Sequence, residues 1–140
     1  MHCERWLPLL NKQCRLKIRH KNEKEEYTKG MDIIMKIAVA GTGYVGLVAG
    51  VCFAEMGYDV TCVDVDEKKV EVMRQGISPI YEDGLEELMQ KNNARGTLHY
   101  TTDYQEAYKD ADAIFIGVGT PEMPDGSANL GYIATVSRQI

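Results

Sequence analysis

The stretch Met35-Lys-Ile-Ala-Val-Ala-Gly-Thr-Gly-Tyr-Val-Gly-Leu-Val-Ala-Gly50 decides how the rest of the chain is read. A short apolar run, Ile37 to Ala40, leads into Gly41, Gly43 and Gly46 at G-x-G-x-x-G spacing, and an apolar segment with helical periodicity follows from Leu47. Strand, glycine turn and helix in that order form the unit whose backbone holds a pyrophosphate. Gly41 permits the tight turn, Gly43 lets phosphates approach the backbone, and Gly46 lets the helix pack close to the strand. The helix start adds free N–H groups and the positive end of its dipole. Spacing alone is weak, so the flanking sequence decides its weight.

Outward from that stretch, strands and helices alternate. The first strand covers about residues 36–40 and the first helix about 44–57, closing at Gly57. Asp59-Val-Thr-Cys-Val-Asp64 is rich in β-formers and ends on an acid. Asp66 is placed to cap a helix over about 67–75, ending at Gly76. An irregular link, Ile77 to Gly84, leads to a short helix from Leu85 to Lys91, with Leu85, Leu88 and Met89 on one face. Leu98 to Thr101 reads as a third strand, Asp103 as the cap of a short helix, and Ala113 to Val118 as a fourth strand. That last run is apolar throughout, which predicts cover on both faces. A Gly/Pro-rich loop, Gly119 to Gly126, precedes a final helix over Leu130 to Ile140. The expected fold is α/β, four parallel strands in a right-handed, Rossmann-type doubly wound sheet, truncated after the fourth strand and its helix.

The chain has 140 residues, a length suited to one domain, and its net charge of −5 conceals an asymmetry. Residues 1–30 carry eight Lys/Arg against four Asp/Glu, whereas residues 31–140 carry eight against seventeen. An acidic body argues against nucleic-acid binding. No apolar run approaches the roughly 20 residues that span a bilayer. Residues 1–34 read as a leader outside the domain, and three readings stand for it: a disordered segment, a targeting segment, or sequence upstream of a start at Met31 or Met35. The domain itself is expected over 35–140. Cys3, Cys14, Cys52 and Cys62 form no C-x-x-C pair and have no histidines at zinc spacing, so no metal site is expected. Cys52 and Cys62 read as buried small hydrophobes in a reducing, cytoplasmic setting.

Two further features give the glycine motif a ligand. Asp64 stands 23 residues after Gly41, near the spacing at which an acid accepts hydrogen bonds from an adenosine ribose. In a sheet of order 3-2-1-4, the ends of strands one and four flank the crevice where the order reverses, so Gly41–Gly46 and Gly119–Pro121 face one ligand. The carboxylate of Asp64 would repel a 2′-phosphate, which favours NAD over NADP. Lys69 lies within reach of the same ribose or is an ordinary exposed lysine. Thr120 either begins a turn with Pro121 or touches the cofactor.

These residues resemble the UDP-glucose/GDP-mannose dehydrogenase family. The matching stretches are Lys36 to Gly50, Cys52 to Gly57, Asp59 to Asp66, Pro79 to Glu82 with Gly84-Leu85, and Gly117 to Pro121 with Asp125-Gly126. The resemblance implies oxidation of the C6 hydroxyl of a nucleotide sugar to a carboxylate, with two NAD per turnover. It implies that Gly41, Thr42, Gly43, Tyr44, Val45 and Gly46 hold the pyrophosphate and that Asp64 and Lys69 hold the ribose. Val118, Gly119, Thr120 and Pro121 would line the nicotinamide side, with Thr120 as an auxiliary catalytic residue near the water. UDP-glucose is the leading substrate of a full-length, homodimeric enzyme. GDP-mannose and UDP-N-acetylmannosamine are alternatives, as is a non-catalytic NAD-binding module. The family's cysteine nucleophile, with its lysine, asparagine and acid helpers, has no counterpart here. The chain is therefore expected to be an N-terminal portion that does not complete the reaction alone. Asp83 replaces a usual proline and Asn129 a common acid at the cap of the last helix.

Overall fold

Alternate side chains of Lys36–Ala40 are apolar on both sides, and the segment forms β1 at the centre of the sheet. The computed structural model describes residues 34–140. The leader expected upstream, with Cys3 and Cys14, lies outside the described residues. In chain order the elements are β1 (Lys36–Ala40), α1 (Tyr44–Glu55), β2 (Asp59–Val63), α2 (Glu67–Arg74), α3 (Leu85–Arg95), β3 (Leu98–Thr101), α4 (Tyr104–Lys109), β4 (Ala113–Ile116) and α5 (Gly131–Gln139). The four strands are parallel in the order β3-β2-β1-β4, as expected. Register pairs Ile37 with Val60 on one side and with Ala113 on the other.

Strand alternation sends side chains into two cores. Ile37 and Val39 of β1, Val60 and Cys62 of β2, and Leu98 and Tyr100 of β3 face a thick layer built by α1, α2 and α3. Ala38 and Ala40 face a thinner layer, where Tyr108 of α4 and Val136 of α5 close over the sheet. Cys52 and Cys62 are both buried, as expected.

Three expectations are corrected. The fourth strand stops at Ile116 and is half covered: Ile114 and Ile116 pack into the thin core, while Ala113 and Phe115 stay exposed. An apolar run signals burial only where neighbours exist, and among the described residues β4 has one neighbouring strand; Phe115 is covered in part by an edge contact with Phe53, centroids 5.8 Å apart. The third helix continues past Lys91 to Arg95. In the added turn Asn92 is fully buried and its Nδ2 donates to Glu55 Oε2 at 3.0 Å and to the Leu88 carbonyl at 2.9 Å. Lys91 and Arg95 pair with the same Glu55, whose carboxyl is held below its ordinary value first by the Lys91 bond. Finally, Leu130, not Asn129, is the cap residue of α5, although Asn129 Oδ1 still accepts from the Gly131 N–H at 2.9 Å. The predicted caps Asp66 and Asp103 form as expected.

Candidate functional site: the crevice between strands one and four

The chain leaves β1 through Gly41, whose φ of +90° lies in the region that favours glycine. Its N–H donates to the Val63 carbonyl at 2.8 Å, tying the turn to β2. Gly46 stands under this turn so closely that a Cβ there would sit 2.0 Å from the Gly41 carbonyl oxygen. Gly117, just past β4, is packed against both: a Cβ on it would lie 2.6 Å from the Gly46 Cα. The turn is thus closed from beneath by backbone alone. Gly43 differs. Its φ of −66° suits any residue, and a Cβ there would meet nothing nearer than the Gly117 carbonyl at 4.0 Å. It is exposed on the crevice wall, where a side chain would stand in the way of an approaching anion.

The start of α1 is left open. Gly43 is its cap residue with no side-chain cap, its first turn carries no acid, and its first helical bond runs from the Leu47 N–H to the Gly43 carbonyl at 2.9 Å. The N–H groups of Tyr44, Val45 and Gly46 have no helical carbonyl behind them. Together with the helix dipole they make a positive, donor-rich end suited to phosphate.

Asp64 follows β2 directly and is half-buried. Its Oδ2 accepts from the Thr42 N–H at 3.1 Å, from the Thr42 hydroxyl, and from Lys69 Nζ at 2.9 Å, while Oδ1 accepts from the Asp66 N–H at 3.1 Å. Burial pushes the carboxyl upward, but the bonds from Thr42, Lys69 and Asp66 outweigh it and hold the group down at about 2. It is therefore a fixed anion at neutral pH. Oδ1, with a single donor, keeps acceptor capacity for a ribose hydroxyl.

A crevice of about 400 Å³ joins these parts, lined by Gly41, Thr42, Gly43, Asp64, Val118 and Gly119 among others. Of the other residues singled out from sequence, Tyr44, Val45 and Gly46 stand at the start of α1, and Lys69 reaches the crevice through Asp64. Thr120 and Pro121 lie on the exposed loop beyond it, outside the lining. That loop is ordered by a bridge between Glu122 and Ala128 and by the Asn129 N–H on the Pro121 carbonyl at 2.8 Å. Sequence reading gave no role to Gly117 or to the lining residues Thr102, Tyr104 and Tyr132. Thr102 was within reach, because it follows the carboxyl end of a strand on the ligand side of the sheet. A second depression, about 380 Å³ between α4 and the sheet, sets Asp59, Asp103, Glu106 and Asp110 against Lys36, an excess of negative charge that disfavours phosphates. Among the described residues no group of acids, histidines and cysteines is placed to hold a metal ion, and no helix is long and apolar enough to cross a membrane.

A parallel sheet with a glycine turn, an open helix start and an acid at the next strand end defines a dinucleotide-binding Rossmann domain. Residues 35–140 match the model of the NAD-binding domain of the UDP-glucose/GDP-mannose dehydrogenase family, and the chain belongs to that family. UDP-glucose 6-dehydrogenase YwqF of Bacillus subtilis is 55% identical over 106 residues, which cover 76% of this chain and 24% of that protein. GDP-mannose 6-dehydrogenase of Pseudomonas aeruginosa is 46% identical over 106 residues, with the same coverage of 76% and 24%. The solved UDP-glucose dehydrogenase of Pyrobaculum islandicum superposes with a TM-score of 0.74 at 40% identity, over 82% of this chain and 26% of that one. The chain thus spans about a quarter of the length of the relatives it matches.

Proposed function

We propose that this chain supplies the NAD site of an enzyme that oxidises UDP-glucose to UDP-glucuronate with two NAD. The observation that carries the reading is the open start of α1 beside the ionised Asp64. In it, Gly41 to Gly46 hold the pyrophosphate through backbone N–H groups, and Asp64, with Lys69, takes the adenosine ribose. Val118 and Gly119 line the nicotinamide side, and Thr120 and Pro121, on the loop just beyond that lining, are assigned to the same side by the family resemblance, Thr120 as an auxiliary residue near the water. NAD held there would supply the acceptor for the hydride that leaves the C6 carbon of the sugar. The chain's own groups position it and favour it over NADP by the charge of Asp64. Cys62 is buried and its thiol is pushed up to about 12 by burial, and Cys52 is 2% exposed. Neither is placed to carry an acyl group, so that step falls to other residues of the enzyme. The unit over 35–140, a homodimeric full-length protein and a cytoplasmic location belong to the same reading. GDP-mannose as the sugar nucleotide is the second reading, favoured by relatives 44–46% identical that act on it by name.

Calorimetric titration tests the cofactor: NAD binds more tightly than NADP, and Asp64→Ala narrows the gap. Equal affinities in the unmutated protein overturn the preference. The substrate is tested by NADH formation from UDP-glucose and from GDP-mannose with the full-length protein, and faster turnover of GDP-mannose reverses the assignment.

A further inference from the structure

The anion-binding turn is slung between two carboxylates. On one side of Gly43, Thr42 is bonded to Asp64. On the other, the phenol of Tyr44 donates to Glu82 Oε2, across 38 residues of sequence. Glu82 belongs to the link between α2 and α3, which is firmly held. Ile80 packs against the thick core, Ser78 Oγ donates to the Ile80 carbonyl at 2.7 Å, and the Ser78 N–H donates to Glu86 Oε2 at 3.0 Å. The Glu82 carbonyl itself accepts from the Leu85 N–H at 3.1 Å, at the start of α3.

A helix start without a side-chain cap is the part of a helix that frays most readily. Here the first turn of α1 has no cap, and the Tyr44–Glu82 bond takes the restraining part without occupying the N–H groups a cap would use. The phenol is a donor at neutral pH, and the Glu82 bond pushes it further above its ordinary value. We propose that Tyr44 and Glu82 are positioning residues for the pyrophosphate: their hydrogen bond holds the first turn of α1 ordered while leaving its N–H groups open. The inference rests on the NAD reading above and deepens it, by assigning the link between α2 and α3 a part in cofactor binding.

The test compares the protein with Tyr44→Phe, Glu82→Ala, Glu82→Gln and the Tyr44→Phe/Glu82→Ala double variant. Each is titrated with NAD by calorimetry and with adenosine, which lacks the pyrophosphate, by ligand-detected NMR. Losing one exposed hydrogen bond, with the net worth of an ordinary one, weakens NAD about three- to tenfold in each single variant. The double variant is no weaker than either single one, because both remove the same bond. Glu82→Gln, whose amide oxygen still accepts from the phenol, binds NAD nearly as the parent does. Adenosine affinity and the thermal midpoint stay unchanged. Undiminished NAD binding by Tyr44→Phe, equal losses for NAD and adenosine, or additive losses in the double variant overturn the inference. Absence of NAD binding by the unmutated protein overturns instead the reading on which it rests.

Discussion

Gly43 and Gly46 belong to one motif but do different work, and alanine at each separates them. At position 46 the new methyl would lie 2.0 Å from the Gly41 carbonyl oxygen. An ordinary carbon–oxygen contact is about 3.3 Å, so backbone must move by more than about 1 Å. There is little room to move: the Gly41 N–H is bonded to Val63 at 2.8 Å, and the Gly117 carbonyl lies 3.4 Å from the same methyl position. Overpacking of this kind costs about 3 kcal/mol, the upper end of its usual range. For a domain of this size that lowers the thermal midpoint by roughly 10–14 °C. At position 43 the methyl meets nothing within ordinary contact and the backbone angles are permissive. Gly43→Ala therefore melts at or slightly above the parent temperature, since it also restricts the unfolded chain by about 0.4–1 kcal/mol. Its methyl stands where the phosphates approach, and NAD affinity falls at least about tenfold, on the order of 1.4 kcal/mol. Circular-dichroism melts and calorimetric titration on the two variants read both quantities. A Gly46→Ala midpoint within about 2 °C of the parent would refute the packing account. Undiminished NAD binding by Gly43→Ala would refute the account of phosphate approach.

Three further outcomes follow from the geometry. Asp64 titrates at about 2 in the folded chain against an ordinary 3.8, so its contribution is fully present above about pH 4 and is lost as pH falls toward 2. Urea unfolding should show a wild-type advantage over Asp64→Asn of about 2 kcal/mol at neutral pH that closes by pH 2, and a gap independent of pH contradicts it. Asn92→Asp places a carboxylate against Glu55 and removes the donor to the Leu88 carbonyl. It should cost about 3 kcal/mol in the same assay at neutral pH and less in acid, and a loss under about 1 kcal/mol at neutral pH would be too small for a buried like-charge pair. In a Cys3→Ser/Cys14→Ser background, a disulfide thiol reagent should find neither Cys52 nor Cys62 in the native protein and both after denaturation. Rapid native labelling of either thiol contradicts their burial.

Much of this fold was legible because local signals agreed. Gly41, Gly43 and Gly46 fell between a β-run and a helical run, Asp66 and Asp103 capped where they were expected to, and the acid at position 64 came at the end of its strand. What could not be read depended on partners distant in sequence. Nothing around Asn92 says that Glu55, on another helix, will draw it inward and extend α3. The run Ala113 to Val118 has the composition of a covered strand, and its half-exposure follows from its place at the sheet edge. Thr42 was placed in the turn, but its hydroxyl bond to Asp64 joins two loops that only the register of β1 and β2 brings together. The link before α3 looked irregular and without chemistry, and the Tyr44–Glu82 bond appears only once α1 and α3 are packed.

The placement of Gly117 against Gly41 and Gly46 also sets a timetable. Lys36 at the start of β1 and Asp112 before β4 are hydrogen-bonded neighbours separated by 76 residues. At roughly 5–20 residues per second of synthesis, β1, its turn and α1 have all left the ribosome about 3–12 s before the strand that completes them. Local helix and turn formation takes microseconds, so for nearly all of that interval the phosphate-holding half of the crevice waits for its second wall. Ala38 and Ala40 meanwhile lack the cover that later elements bring. A nascent chain that holds a dinucleotide across this crevice has therefore already paired β1 with β4, so cofactor capture follows that pairing.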